Sequence, residues 1–146
     1  MAKEIFTAET TLLSGLKVSC KSRNFEMLID EPRTSGGTDT GMNPVEVLLN
    51  SLGACLTIVA KSFAKSKKIN LNSFKVELEG ELDTDGFMYK NPEIKKGFSK
   101  INIIFHVDAD NSTEEINSFI KFVEETCPVH DTIVNTPIFE QKIVTY

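Results

Sequence analysis

Asn43-Pro44-Val45-Glu46 opens the stretch that most constrains what this chain can fold into. Asn as N-cap, Pro at the first helical position and Glu three residues after the cap together make a helix start. Leu48, Leu52, Cys55, Val59 and Phe63 follow at steps of four, three, four and four, which predicts one continuous helical face. Ala54, Leu56, Ile58 and Ala60 make other faces apolar as well. A helix apolar on several sides belongs in the middle of a fold, so the rest of the chain has to wrap it. Lys61, Lys65, Lys67 and Lys68 place positive charge at its C-terminal end, where the helix dipole favours it.

The segments on either side supply the wrapping. Glu4 to Thr11 alternates in part, Leu12-Leu13-Ser14-Gly15 reads as a turn, and Leu16 to Cys20 and Phe25 to Ile29 read as strands. Glu31 to Gly41 is a polar loop with a proline and three glycines. Beyond the helix, Asn72 to Leu82 alternates Phe74, Val76 and Leu78 against Lys75, Glu77 and Glu79, the pattern of a half-exposed strand. Asp83 to Ser99 is a polar connection, and Lys100 to Asp108 is a strand with Ile101, Ile103, Phe105 and Val107 on one face. Ser112-Thr113-Glu114-Glu115 is a second capping box, followed by Ile116, Phe119, Ile120, Val123 and Cys127 on one helical face. Pro128 disfavours helical backbone at Cys127, so this helix should stop there. Pro137 to Thr145 reads as a last strand. The order β-β-β-α-β-β-α-β with antiparallel connections predicts an α+β protein, one domain over residues 1–146, with no internal repeat and no low-complexity segment.

Composition narrows the function. A net charge of −5 argues against a nucleic-acid partner, which would need a basic patch. No run approaches the roughly 18 consecutive apolar residues of a membrane span, so no membrane partner is expected. Met1-Ala2-Lys3-Glu4-Ile5 does not resemble a secretory leader, and the expected compartment is the cytosol. There, three cysteines point to free, catalytic or redox-sensing thiols rather than to a disulfide framework.

Cys55 and Cys127 each complete an apolar helical stripe, so both thiols should face the interior. A thiol peroxidase needs a thiolate nucleophile, a cation to hold it ionised and a second thiol to resolve the sulfenic acid. Two cysteines on apolar faces equally suit plain packing. If Pro128 begins a short helix over 128–134, Cys127 is its N-cap, and the local sequence nominates Cys127 as the more acidic thiol. Cys20, in a strand, reads as packing. His106 falls on the polar face of its strand. His130 and Cys127 form a CxxH, yet a zinc site wants four ligands and nothing else clusters, so no metal is expected. The loop over 36–41 lacks the Lys-Ser/Thr ending of a P-loop, and its glycines more simply let the backbone turn into the helix.

The run from Gly36 through Thr38-Asp39-Thr40-Gly41-Met42-Asn43-Pro44 to Gly53-Ala54-Cys55 resembles the signature of the OsmC/Ohr family, and Cys127-Pro128-Val129-His130 is similar to its second-cysteine motif. The resemblance covers the order of elements along nearly the whole chain. It implies an intertwined homodimer in which a strongly bent antiparallel sheet wraps two central helices. It also implies a cytoplasmic, thiol-dependent peroxidase of the oxidative stress response, reducing organic and also hydrogen peroxides. Cys55 is then the peroxidatic thiol, Cys127 the resolving one, a cellular dithiol the reductant, and no cofactor is needed. That assignment reverses the local argument for Cys127. The alternative is a non-catalytic dimer that binds an apolar small molecule and keeps its cysteines for structure.

Two departures from the peroxidase pattern bear on the remaining site residues. Where the peroxidase branch has a glutamate directly after Asn-Pro, this chain has Val45, and the acid is Glu46. Glu46 is nine residues from Cys55, about half a turn out of phase at roughly 100° per residue. It acts either as the third residue of the capping box or as a catalytic carboxylate brought in by a bend or by a second subunit. The stretch Leu13 to Lys17 also offers no arginine where the peroxidases carry one. Lys17, Arg23 and Arg33 are the available substitutes. Arg33, before the Gly-rich segment, is the best placed of them for a catalytic role, its other reading being a solvated loop charge.

Overall fold

In the computed structural model, which describes residues 2–146, the chain divides inside its first long helix into two compact units, Met1–Leu48 and Leu49–Tyr146.

The first unit is an antiparallel meander of β1 (Glu9–Ser14), β2 (Lys17–Ser22) and β3 (Phe25–Ile29). Its register sets Thr10 opposite Cys20 and Cys20 opposite Met27. The strand β1 runs on through Leu12, Leu13 and Ser14, where the sequence suggested a turn. The chain reverses at Gly15 instead, with φ of 58°, a conformation that costs glycine nothing. Arg23, also at positive φ, makes the second reversal and lays its guanidinium over the Phe25 ring, 5.0 Å from the centroid. The sheet buries little: among the described residues of this unit only Ser19 and Asp30 are buried.

Asp30 organises the loop that follows. Its carboxylate accepts from the amides of Glu31, Thr38 and Thr40 and from the Thr38 and Thr40 hydroxyls. These bonds, led by the Thr38 hydroxyl, hold the carboxyl well below the usual carboxylate range against the opposing effect of burial. The loop makes a 3-10 turn at Arg33–Ser35 and passes so close to the Glu31 carbonyl at Gly37 that no side chain fits there. It then enters α1 (Pro44–Phe63) through a complete capping box. The Asn43 amide donates to Glu46 Oε2 at 2.8 Å, and the Glu46 amide donates to Asn43 Oδ1 at 2.9 Å.

The second unit holds the core. The remainder of α1, with β4 (Leu71–Glu81), the one-turn α2 (Thr84–Phe87), β5 (Lys100–Ala109), α3 (Thr113–Thr126) and α4 (Pro128–Val134), encloses Leu52, Leu56, Val59, Ala60, Ala64, Ile69, Phe119, Val123 and Cys127. The β4–β5 hairpin pairs Phe74 with Val107, Val76 with Phe105 and Leu78 with Ile103, and these partly buried residues pack against that cluster. A Cβ at Gly53 would sit 2.6 Å from Leu78 Cδ1, so the glycine is what lets α1 lie this close to the hairpin. Phe63 and Phe122 meet edge to face at 5.2 Å between centroids. α1 is long and apolar enough to cross a bilayer by length and composition alone, but here its apolar residues build this core. The ends of the predicted stripe differ from its middle: Leu48 and Phe63 are 41% and 37% exposed. The expected last strand does not form as such. Residues 136–146 make no ladder with the described residues, and Ile138, Phe139 and Ile143 stand 93%, 83% and 82% exposed. Alternation marks a segment as strand-like, but a strand also needs an edge to pair with, and none is supplied here.

Candidate active site

Cys55 and Cys127 both belong to the Leu49–Tyr146 unit, and its packing brings them together. Cys55 rides on α1 at the border of the core. Leu52, Leu56 and Val59 beside it are buried, while Ser51, Ala54 and Ile58 on its other side are exposed. The thiol is therefore half-buried.

Cys127 sits at the junction of two helices, and Pro128 is the reason. The proline pushes Cys127 to extended backbone (φ −73°, ψ 114°), which ends α3 and starts α4 with Pro at its first position. Cys127 Sγ accepts from the His130 amide at 3.4 Å and its carbonyl accepts from the Asp131 amide at 2.9 Å. Cys127 is thus the N-cap that the sequence suggested. Its acidity is the reverse of what the cap alone predicts. The residue has no solvent exposure, and burial pushes its thiol above the ordinary value. The Cys55 side chain, its hydrogen-bonding and charge neighbour, raises it further, against the lowering from the His130 and Val129 amides. Loss of water around the sulfur outweighs the dipole of a seven-residue helix.

The remaining candidates belong to the other unit or have partners of their own. Arg33 is exposed in its 3-10 turn and Cys20 is half-buried on β2, both in the Met1–Leu48 unit. Glu46 closes the capping box of α1, the plainer of its two readings. His106 faces outward, 2.9 Å from Glu77 Oε2. All three cysteines are free, and among the described residues no group of three or more His, Cys, Asp and Glu is placed to hold a metal ion. Sequence reasoning missed Asp30, whose role depends on hydroxyls eight and ten residues further on. The only local signal was an acid followed by the Thr-x-Thr of the Gly-rich loop.

Residues 37–142 match the family described as OsmC-like protein. The chain belongs to the OsmC-like family. A hydroperoxide reductase of Mycoplasma genitalium is 31% identical over 130 residues, which span 86% of this chain and 84% of that protein. The crystal structure of an OsmC like protein from Mycoplasma pneumoniae superposes with a TM-score of 0.80 at 26% identity, over 92% of this chain and 91% of the other. An organic hydroperoxide resistance protein OsmC from Legionella pneumophila shares the fold at a TM-score of 0.67 and 21% identity, over 92% and 93% of the two chains. The α+β arrangement of antiparallel sheets and helices described above is thus the OsmC-like fold, and the Cys55–Cys127 pair lies within the matched residues.

Proposed function

We propose that this OsmC-like protein is a thiol-dependent hydroperoxide reductase of the oxidative stress response, with Cys55 as the peroxidatic and Cys127 as the resolving thiol. Its relatives named hydroperoxide reductase support a peroxide-related redox function. The observation that carries the thiol assignment is the asymmetry of the pair: Cys127 is sealed and holds its proton, while Cys55 stands half-open beside it. The Cys55 thiolate attacks the distal peroxide oxygen, the O–O bond breaks, and the alkoxide leaves to be protonated as alcohol, with the oxygen kept as a Cys55 sulfenic acid. The Cys127 thiol then attacks the Cys55 sulfur, water leaves, and a disulfide forms. A cellular dithiol returns both sulfurs to thiols. No cofactor enters this sequence. We assign its setting to the reducing cytosol, where three free thiols and a recycling dithiol fit.

The same reading takes the working form to be a homodimer. Leu12 and Phe25 in one unit and Ile138 and Phe139 in the other are more than 60% exposed in the single chain, apolar side chains that a second copy would cover along with the strand-like segment over 137–145. The interface should exceed the roughly 2,000 Å² of permanent assemblies, and a monomer in sedimentation at micromolar concentration would rule it out. Arg33 is the candidate cation and Glu46 the candidate carboxylate that such an assembly brings to Cys55. Without an arginine in the family's position, peroxidase activity should be clear but weak. A lysine substitute would lack the planar fork that grips thiolate and carboxylate together.

One equivalent of an organic hydroperoxide should consume Cys55 and Cys127 and spare Cys20. Cys127→Ser should react once per site and stall as a sulfenic acid, and Cys55→Ser should lose roughly 100-fold or more of the rate. If Cys55→Ser consumes peroxide as fast as the unmodified protein, Cys55 is not the nucleophile and the small-molecule-binding reading takes over.

A further inference from the structure

The reductive half of the cycle leaves a choice that the structure decides. An external thiolate can attack either sulfur of a Cys55–Cys127 disulfide, and the two routes differ in which thiol is released first. Resting on the proposed cycle, we infer that the recycling dithiol attacks the Cys55 sulfur, and that Cys127 is the leaving thiol, released inward against the start of α4.

Three observations carry this. The first is access. Cys127 has no solvent exposure and is part of the cluster with Leu56, Val59, Phe119 and Val123, while Val129 and Ile133 of α4 pack against that cluster from outside. Cys55 is only partly buried in the single chain, and the residues one turn before and after it on the open side are Ser51, small and exposed, and Ile58, 64% exposed. The second is geometry. Thiol–disulfide exchange is an in-line displacement, with the incoming sulfur approaching opposite the leaving one. Attack on Cys55 then comes from the side facing away from Cys127, toward solvent. Attack on Cys127 would have to come through the packed side chains. The third is the reception of the leaving group. The His130 amide already points at Cys127 Sγ, 3.4 Å away, and is in place to hydrogen-bond the sulfur as it becomes a thiolate.

Leaving-group acidity opposes this order, because a thiol held above its ordinary pKa leaves more slowly. That effect is graded, a continuous dependence of rate on the leaving thiol's pKa. Access is not graded in the same way. Cys127 is enclosed in the cluster and Cys55 only partly buried, so access favours attack at the Cys55 sulfur.

The steps balance. The first thiolate of the dithiol forms a bond to Cys55 Sγ as the Cys55–Cys127 bond breaks, and Cys127 departs as a thiolate that takes up a proton. The second thiol of the reductant, deprotonated, then attacks the reductant's own sulfur in the mixed disulfide. Cys55 is released as a thiolate, and the reductant leaves as its disulfide. Peroxide and reductant therefore use the same sulfur through the same opening, and Cys127 never meets either.

The test uses the full-length protein oxidised with one equivalent of cumene hydroperoxide. Peptide mapping before any thiol is added reads the Cys55–Cys127 bond; its absence would overturn the proposed cycle and this inference together. The oxidised protein is then mixed with 2-mercaptoethanol, a monothiol that cannot complete the second step within the mixed disulfide, quenched in acid at early times, freed of mercaptoethanol and unfolded in denaturant, and only then alkylated with N-ethylmaleimide. The expected result is mercaptoethanol on Cys55 and maleimide on Cys127, in roughly tenfold or greater excess over the opposite labelling. Mercaptoethanol on Cys127 with maleimide on Cys55, or equal yields of the two, would overturn the inference while leaving the peroxidatic role of Cys55 standing.

Discussion

The Met1–Leu48 and Leu49–Tyr146 units reach order by different means. The second encloses all nine residues of the apolar cluster, among them Leu56, Val123 and Cys127 without solvent exposure. The first encloses a hydroxyl and a carboxylate, Ser19 and Asp30, and leaves Leu12, Leu13, Phe25, Met27 and Leu28 exposed on its sheet. One unit is held by burial of apolar surface, the other by a backbone ladder and the hydrogen bonds that converge on Asp30. An apolar-poor interior beside an apolar-rich surface is how a unit looks when its cover is missing. This contrast is the physical reason for expecting a second copy, and it can be broken by mutation.

The largest effect should come from Leu56→Ala. Leu56 is fully buried, so the change removes transfer energy and leaves a cavity, with an expected loss of about 2–5 kcal/mol in chemical denaturation. The matched change in the other unit, Leu12→Ala, alters a side chain that is 67% exposed in the single chain. Its cost should be about 0.5 kcal/mol or less where the chain is monomeric and should rise with assembly, so that it appears as a weaker dimer on dilution. If Leu12→Ala costs as much as Leu56→Ala at every concentration, the first unit has a core of its own and the contrast fails.

The pH dependence of the two units should run in opposite directions. Asp30 has its pKa lowered in the folded chain, so its contribution is present at neutral pH, above the unfolded value, and is lost as pH falls toward and through the folded one. The Thr38 and Thr40 amides, which donate to Asp30, should therefore lose hydrogen-exchange protection in acid, after correction for intrinsic rates. Asp30→Asn should produce roughly a tenfold loss of that protection already at pH 7, because an NH2 donor replaces one of the two accepting oxygens and the other loses its charge. Cys127 has its pKa raised, so its contribution is intact below the unfolded thiol value and is lost as pH rises through the folded one. The reduced protein should weaken in mild alkali, beyond about pH 8.5, and Cys127→Ala should remove that alkaline loss. A mutant that keeps the full alkaline loss would show that some other group is responsible.

What the sequence made legible follows the reach of each interaction. Both capping boxes, the Pro128 break and the β4–β5 alternation are decided within a few residues of themselves, and all four appear in the structure where the residues put them. The N-cap position of Cys127 was equally readable from Cys-Pro. Its acidity was not, because the shift is set first by burial, and burial depends on Leu56, Val59 and Phe119 arriving from other elements. Asp30 was invisible for the same reason at shorter range. The segment over 137–145 shows the limit most plainly: alternation tells which side of a strand is apolar, never which edge it will join. Arg33 and Glu46 belong to that class too, since a role at Cys55 would depend on assembly.

The smallest effects should come from the two capping boxes, one in each unit, and they test whether the units melt together. Ser112 caps α3, its hydroxyl accepting from the Glu115 amide while Glu115 Oε2 accepts from the Ser112 amide. Ser112→Ala should cost about 1 kcal/mol. Asn43 plays the same part for α1 in the first unit, and Asn43→Ala should cost a similar amount, again about 1 kcal/mol. α1 runs unbroken from Pro44 in one unit to Phe63 in the other, so both changes should move one common transition, followed at the core by fluorescence of a probe on Cys55 and globally by circular dichroism. If Asn43→Ala shifts only a separate, earlier transition and leaves the core transition where it was, the units unfold independently. The contrast between them would then be one of two separate foldons rather than of one cooperative chain with an uncovered half.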